Sequence, residues 1–243
     1  MNPATPFGSQ RPAALLLDMD GTLVDTERLW LEAERAAAAR FGGNVPDSAE
    51  AELLGLDTDT MLDLLSSRYG ARADRARLRD AVMHEVGERL SGARACPGAA
   101  DFVAAARAAG IRCALVSNSP ASIVQATLQA QPWAGALEVR VSADDAERAK
   151  PAPDLYLTAL RRLRLAPSEC LAVEDSPTGA RAAVDAGLVC LGVAASVEQA
   201  DSLRAVTPHV LPSLSHARHW LGLHEARWPH DTEAEANGNR GTR

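Results

Sequence analysis

Two carboxylates, Asp18 and Asp20, directly follow a short apolar run at residues 13–17. The run is expected to form a buried strand, and residues i and i+2 of an extended chain point the same way. Asp18 and Asp20 can therefore face one site, and Gly21 lets the chain turn sharply after them. Because close carboxylates repel each other without a proton or cation between them, the pair favours a metal with oxygen-only ligands, such as Mg²⁺. Taken alone, the same residues could also form an ordinary Asp-rich turn.

A single lysine, Lys150, stands among 25 basic residues, and the others are all arginine. Lysine carries a compact charge on a flexible stem, whereas arginine presents a rigid planar fork. Lys150 could therefore be an anion ligand or a residue of a solvated loop, and its own neighbourhood leaves both interpretations open.

Strands and helices alternate from about residue 95 onward, and this predicts a parallel sheet covered on both faces, an α/β Rossmann-like fold. Residues 28–94 instead show helical spacing without a strand-like run, which predicts an inserted all-helical domain. The predicted strands are 13–18, 111–116, 137–141, 170–173 and 188–193. The predicted helices include 97–109, one that Pro120 opens with Ser119 as N-cap, 154–163 and 177–186.

Polar residues follow three of these strands at their carboxyl ends: Asp18 and Asp20, then Ser117 and Asn118, then residues 174–176. In open parallel sheets the ligand site lies outside the carboxyl ends of the strands. The three segments should therefore meet at one edge, where amides of the helices that follow would favour an anion. Carboxylates, a hydroxyl, a lysine and helix N-termini together indicate a Mg²⁺-dependent phosphate site.

The motifs resemble those of the haloacid dehalogenase superfamily, in the branch with a helical cap inserted after the first motif. The resemblance covers roughly residues 13–194, and its four motifs occur in order. They are Asp18-x-Asp20-Gly21-Thr22, Ser117-Asn118, Lys150-Pro151-x-Pro153-Asp154 and Glu174-Asp175-Ser176-x-x-Gly179.

The resemblance implies a role for each acidic motif residue. Asp18 would attack phosphorus and form an aspartyl-phosphate. Asp20 would protonate the leaving oxygen and then deprotonate the attacking water. The Asp18 carboxylate, the Asp20 backbone carbonyl and Asp175 would hold Mg²⁺, while Glu174 would reach the metal directly or through water.

The resemblance also implies which groups bind the phosphoryl oxygens. Ser117 and Lys150 would contact them, with the backbone amides of Asn118 and Met19 nearby. Positioning and charge neutralisation are most of what phosphoryl transfer requires. The expected partner is thus a small phosphorylated metabolite, a sugar or polyol phosphate.

Two other functions stay open beside the phosphatase. A mutase similar to beta-phosphoglucomutase would usually carry a His where Trp30 stands, four residues after Thr26. It would also carry an Arg where Thr58 stands, three residues after a glycine matching Gly55. Both differences favour hydrolysis. The second alternative is a non-catalytic binding protein on the same fold. Trp30 itself is expected either in the core of the helical segment or at the entrance of the site.

Composition narrows the possible partners and location. The net charge is −7 and the pI about 5.4, which argues against nucleic acid. No apolar run reaches the roughly 18 residues of a membrane span, and residues 1–10 lack the features of a signal peptide. The four cysteines form no Cys-x-x-Cys pair and are expected to be reduced, in a cytoplasmic monomer. The arginine-rich stretch 68–79 is expected to be a solvated helical face, with attraction of an anionic substrate as the alternative.

The expected division of the chain has four parts. They are a lead-in at 1–10, a catalytic core at 11–27 and 95–222, a helical cap at 28–94, and a polar tail at 223–243.

Overall fold

The computed structural model describes residues 6–7, 10–53, 56–90 and 92–225. Most of the expected lead-in and tail, and Gly55, lie outside these residues. The strands are β1 Ala14–Leu17, β2 Val24–Asp25, β3 Arg94–Ala95, β4 Arg112–Val116, β5 Leu137–Val141, β6 Cys170–Glu174, β7 Val189–Val193 and β8 His209–Leu211. The helices are α1 Glu27–Arg40, α2 Glu50–Leu53, α3 Thr58–Ser67, α4 Arg75–Leu90, α5 Ala99–Ala108, α6 Ala121–Gln129, α7 Asp154–Leu163, α8 Pro177–Asp185, α9 Val197–Arg204 and α10 Leu214–Trp220. Short 3₁₀ turns lie at Asp47–Ala49, Pro132–Ala136, Ala143–Asp145 and Pro167–Glu169.

A six-stranded parallel sheet in the order β5-β4-β1-β6-β7-β8 forms the centre of the molecule. β1 is central, paired with β4 on one side and with β6 on the other. All six strands of this sheet run in one direction, so the residues that follow β1, β4 and β6 emerge at the same edge. The predicted α/β class is confirmed.

Side chains of β1 alternate between two apolar layers, as the two-residue period of a strand requires. Leu15 and Leu17 pack into one layer, and Ala14 and Leu16 pack into the other. Every residue of β1 is fully buried. This explains why the strand reads as a continuous apolar run and not as an alternating one.

The helices between β2 and β3 pack on one another, and α1 lies against α4. β2 and β3 pair antiparallel, with Val24 opposite Ala95, so the chain leaves and re-enters the sheet region at adjacent points. The apolar side chains of these helices belong to the same buried cluster as Leu15 and Leu17. The helical segment, residues 28–94, therefore rests on the layer that covers one face of the sheet.

Three expectations about local structure need correction. Ser119 does not cap α6, because Pro120 occupies the N-cap and makes no side-chain cap bond. The five arginines of the stretch 68–79 are exposed, but α4 begins only at Arg75, so the first half of the stretch is a connection between helices. The sheet also continues beyond residue 193 to β8, a strand of three half-buried residues with too weak an apolar pattern to be recognised.

Candidate active site

Lys150 is the centre of the site at the carboxyl edge of the sheet, and its side chain is only 3% exposed. Its ammonium nitrogen lies 2.6 Å from Asp18 Oδ1, 2.6 Å from Glu174 Oε1 and 2.8 Å from the carbonyl oxygen of Val116. Burial lowers the pKa of Lys150, but the charges of Asp18 and Glu174 raise it further, so the pKa lies above its usual range. The lysine is therefore a permanently charged group held between two carboxylates.

Two backbone segments hold Lys150 in this position. Asn118, which follows β4, accepts a hydrogen bond from the Lys150 backbone amide at 2.8 Å through Oδ1. Its Nδ2 also donates to the Lys150 carbonyl at 3.2 Å. This double contact ties the loop after β4 to the loop before α7, so two of the sequence motifs form one rigid unit.

Asp20 lies apart from Lys150, and a separate set of donors forms hydrogen bonds to its carboxylate. Its Oδ1 accepts from the Thr26 hydroxyl at 2.5 Å and from Trp30 Nε1 at 3.2 Å. Its Oδ2 accepts from the Ser119 hydroxyl at 2.9 Å and from the Ser117 hydroxyl at 3.2 Å. Asp18 and Asp20 therefore have different environments although one residue separates them, as expected where two carboxylates have different tasks.

Asp175 approaches Asp18 from the end of β6 and is buried. Its Oδ1 accepts from the Thr22 hydroxyl at 3.0 Å, and its carbonyl accepts from Gln199 Nε2 at 2.9 Å. Gly21, at φ +79°, has no room for a side chain, since a Cβ there would lie 2.3 Å from Asp175 Oδ2. A glycine is thus required where the loop after β1 passes this carboxylate.

Carboxylate oxygens of Asp18, Glu174 and Asp175 lie within 4.8 Å of one another. Burial and the nearby carboxylates raise the pKa of Asp18 to about 8 against the opposing charge of Lys150. Burial, followed by the charges of Asp18 and Glu174, raises the pKa of Asp175 well above its usual range. Such a cluster releases protons on binding a divalent cation, and its all-oxygen donor set fits Mg²⁺.

Glu174 is fully buried and has one oxygen without a hydrogen bond among the described residues, Oε2. Its other oxygen accepts from Lys150 and from the hydroxyl of Tyr156. A Cβ at Gly179 would meet Glu174 Oε2 at 2.0 Å, so only glycine fits the start of α8 here. The glycine of the fourth motif thus makes room for this carboxylate.

The structure brings together all the site residues that the sequence predicted: Asp18, Asp20, Ser117, Asn118, Lys150, Glu174 and Asp175. The Asp20 carboxylate is not in the metal-type cluster, and the Ser117 hydroxyl contacts Asp20. The Ser119 hydroxyl and Tyr156 were missed. Ser119 was expected as a helix cap, and Tyr156 lies within a helix with a regular apolar pattern, so neither gave a separate signal. Thr26 is also a fully buried donor to Asp20.

A cleft extends from these residues toward the helical segment, with a volume of about 860 Å³ including its solvent-open part. Trp30 lines this cleft and is also partly packed against the apolar core, so the interpretation as a core residue alone was incomplete. The side of the cleft that α1 to α3 and the turn between α2 and α3 form is called the distal end. Beyond Trp30, which contacts Asp20, its described lining residues are Leu31, Glu34, Leu53, Leu56, Thr58 and Met61.

All four cysteines are among the described residues, and each is a free thiol. Cys113, Cys170 and Cys190 are buried, Cys96 is partly buried, and none is in a disulfide. Among the described residues, no helix combines the length and apolar character needed to cross a membrane.

Comparison with known proteins identifies the family. The haloacid dehalogenase-like hydrolase model matches residues 12–187, most of the chain. Hexitol phosphatase A of Escherichia coli is 33% identical over 194 residues, which is 77% of this chain and 86% of that protein. The chain belongs to the haloacid dehalogenase-like hydrolase family.

Solved structures agree with this assignment. CbbY from Rhodobacter sphaeroides, in complex with phosphate, has a TM-score of 0.76 and 29% identity and covers 87% of this chain and 100% of its own. A mutant of the same protein in complex with xylulose-(1,5)bisphosphate has a TM-score of 0.75 and 29% identity. The match covers 84% of this chain and 95% of the mutant's chain.

Proposed function

We propose that the protein is a Mg²⁺-dependent phosphatase that hydrolyses a small phosphorylated carbohydrate, a sugar or polyol phosphate, through an aspartyl-phosphate. One observation supports this most: Asp18 lies against Lys150 in a carboxylate cluster, while Asp20 has a separate set of donors. A nucleophile and an acid/base need such different environments. The family match and the hexitol phosphatase relative support the same reaction and substrate class.

The reaction has two displacements at phosphorus. An Asp18 oxygen forms a bond to phosphorus while the bond from phosphorus to the substrate oxygen breaks, and Asp20 gives that oxygen a proton. Asp20 then takes a proton from water, whose oxygen attacks the same phosphorus and releases inorganic phosphate and the Asp18 carboxylate. Lys150, Ser117 and Asn118 supply donors to the phosphoryl oxygens, and Ser117 shares its hydroxyl with Asp20 in this arrangement.

The Asp18 and Asp175 carboxylates and the Asp20 backbone carbonyl would hold Mg²⁺, with Glu174 in direct or water-mediated contact. When bound, the cation neutralises charge on the carboxylates and on the transferring phosphoryl group. The high pKa values of Asp18 and Asp175 are consistent with this proposal, since both groups need a cation to be ionised together at neutral pH.

The helical segment, residues 28–94, would act as a cap over the strand ends, with joints near residues 26–28 and 93–97. Closure of a cap excludes bulk water and brings specificity residues to the substrate. The reduced, buried thiols and the metabolite-sized cleft suit a cytoplasmic enzyme.

Hydrolysis is favoured over the mutase reaction by what lines the cleft. Trp30 donates to Asp20, in the position where the mutase would carry a His, and Thr58 lies where it would carry an Arg. Among the described lining residues, Lys150 is the one basic side chain, so the cleft offers one positively charged ligand for a phosphoryl group.

Phosphorus NMR of a reaction with glucose 1-phosphate and Mg²⁺ tests the proposal. A phosphatase yields inorganic phosphate, with no glucose 6-phosphate accumulating and no bisphosphate activator required. Appearance of glucose 6-phosphate faster than inorganic phosphate would establish the mutase. Absence of any Mg²⁺-dependent phosphate release from p-nitrophenyl phosphate would favour the binding protein.

A further inference from the structure

Glu34, on α1, is a buried carboxyl group that the proposed chemistry does not use. Its side chain is 4% exposed, and its Oε2 makes no hydrogen bond to any described residue. Burial raises the pKa of Glu34 to about 8, so the group is mostly protonated at neutral pH. A buried polar atom without a partner is destabilising, which calls for a partner that the described part of the chain does not supply.

Another buried glutamate of the helical segment provides a contrast. Glu85 on α4 is 9% exposed, and it lies 2.5 Å from Arg40 and 2.6 Å from Arg89. Its charge is thus neutralised by the chain itself, as is usual for buried glutamates. Glu34 differs because it lines the cleft that contains Asp18 and Lys150.

The position of Glu34 on α1 sets its place relative to the reacting groups. Trp30 and Glu34 are four residues apart and share one face of the helix. Trp30 contacts Asp20, and Glu34 lies one helical turn, about 6 Å along the helix axis, from Trp30. Both side chains line the cleft, so a substrate held by its phosphate at Lys150 would extend past Trp30 toward Glu34.

The surroundings of Glu34 in the cleft are mostly apolar. Leu31, Leu53, Leu56 and Met61 line this end, with the hydroxyl of Thr58. The one basic side chain among the described lining residues is Lys150, at the other end of the cleft. A second phosphate placed near Glu34 would be desolvated without a counter-charge, at a high cost in free energy.

We propose that Glu34 is the specificity residue for the end of the substrate opposite the phosphate, where its carboxyl group hydrogen-bonds a hydroxyl of a polyol or sugar monophosphate. This inference rests on the proposed phosphatase function and adds the recognition of the non-reacting end. It implies selection against bisphosphates, in contrast to the bisphosphate present in the CbbY structure.

Steady-state kinetics with Mg²⁺ and four substrates provide the test: p-nitrophenyl phosphate, sorbitol 6-phosphate, fructose 6-phosphate and fructose 1,6-bisphosphate. We expect Glu34→Leu to lower kcat/KM about 10- to 100-fold for the better of the two monophosphates, the effect of losing a buried hydrogen bond. For p-nitrophenyl phosphate, which has no distal hydroxyl, the change should stay within about threefold. Glu34→Gln, which keeps hydrogen-bonding groups, should restore much of the loss.

Glu32→Gln is the matched control, because Glu32 is on the same helix but forms an exposed ion pair with Arg28. It should leave all four substrates unchanged. Equal losses on every substrate with Glu34→Leu, no loss on any, or a wild-type preference for the bisphosphate would overturn the role of Glu34. If Glu34→Leu does not fold, Glu34→Ala takes its place, and an unchanged ratio of monophosphate to p-nitrophenyl phosphate turnover in that variant would also overturn it. Lack of p-nitrophenyl phosphate hydrolysis by the wild type would instead refute the phosphatase function.

Discussion

The two ends of the cleft differ in how their polar groups are satisfied. At the phosphate end, Lys150 contacts Asp18 and Glu174, and Asp20 accepts four hydrogen bonds from the chain itself. At the distal end, Glu34 is buried and forms no ion pair with a described residue, whereas Glu174 at the phosphate end is paired with Lys150. The Oε2 atoms of both glutamates make no hydrogen bond to a described residue. The first end is preorganised for one reaction whatever the leaving group. Such preorganisation is the main contribution of a phosphoryl-transfer site to catalysis. The second end is completed only by a substrate, and it therefore selects among substrates.

The largest effect is expected at Asp18. Asp18→Asn keeps the shape of the side chain and a carbonyl oxygen for Lys150, but the amide cannot attack phosphorus. Turnover should fall by at least about 10⁴-fold, equally for every substrate, because a covalent step is lost. Kinetics of phosphate release, with circular dichroism as a check on folding, measure this. Residual activity within about tenfold of wild type would contradict the assignment.

Asp20→Asn should have the next largest effect, a loss of about 10²- to 10⁴-fold, because it removes the acid/base but keeps acceptors for Trp30 and Thr26. p-Nitrophenol is a good leaving group and needs no proton, so a rapid burst of p-nitrophenol should precede slow turnover. Polyol phosphates should show no such burst. Equal, unchanged rates with good and poor leaving groups would assign Asp20 another role.

Replacement of Asp175 should act through the cation. Activity should require Mg²⁺ and disappear with chelator, and Asp175→Ala should raise the Mg²⁺ concentration for half-maximal activity by about tenfold or more. A Mg²⁺ titration at saturating substrate measures this shift. Full activity in chelator would refute the metal site, and an unchanged titration would remove Asp175 from it. Zn²⁺ is disfavoured because the motifs contain no His or Cys ligand.

The smallest effect concerns the distal end and appears in stability. The pKa of Glu34 is about 8 in the folded chain and near 4.5 when unfolded. Between these values the unfolded chain binds fewer protons than the folded one, so Glu34 reduces stability progressively as pH rises from about 4.5 to 8. Thermal melts of wild type and Glu34→Gln should therefore show a difference in Tm that grows in favour of the variant over this range. A pH-independent difference would show that Glu34 is not held protonated.

The residues that the sequence identified by pattern share one property: they lie at or just after the carboxyl ends of strands. Asp18, Ser117, Asn118, Glu174 and Asp175 interrupt apolar runs, and parallel strands must bring such residues to one edge. Local pattern was therefore sufficient to predict the phosphate end and the α/β fold around it. Lys150 was found by its type, since it is the one lysine of the chain, and by the motif around it.

The residues that were missed depend on contacts across the fold. Tyr156 and Ser119 contact Glu174 and Asp20 only because α7 and the loop after β4 pack against those carboxylates. β8 is recognisable by its pairing with β7 and not by its own three half-buried residues.

The burial of Glu34 is the clearest example of a feature that only the tertiary structure reveals. In the sequence it is a charged residue in an alanine-rich helix, a pattern typical of a solvent-exposed position. In the folded chain it is buried, because α1 turns this face toward α2, α3 and the sheet edge. The sequence by itself predicted the fold class, which the structure confirms, and the placement of the candidate reacting groups at one sheet edge, since both depend on periods and strand ends within short segments. The role proposed for each group came from the resemblance of the motifs to those of the family. The distal end of the cleft was decided by tertiary structure alone, because burial of a side chain depends on the elements that pack over it and not on its neighbours in the chain.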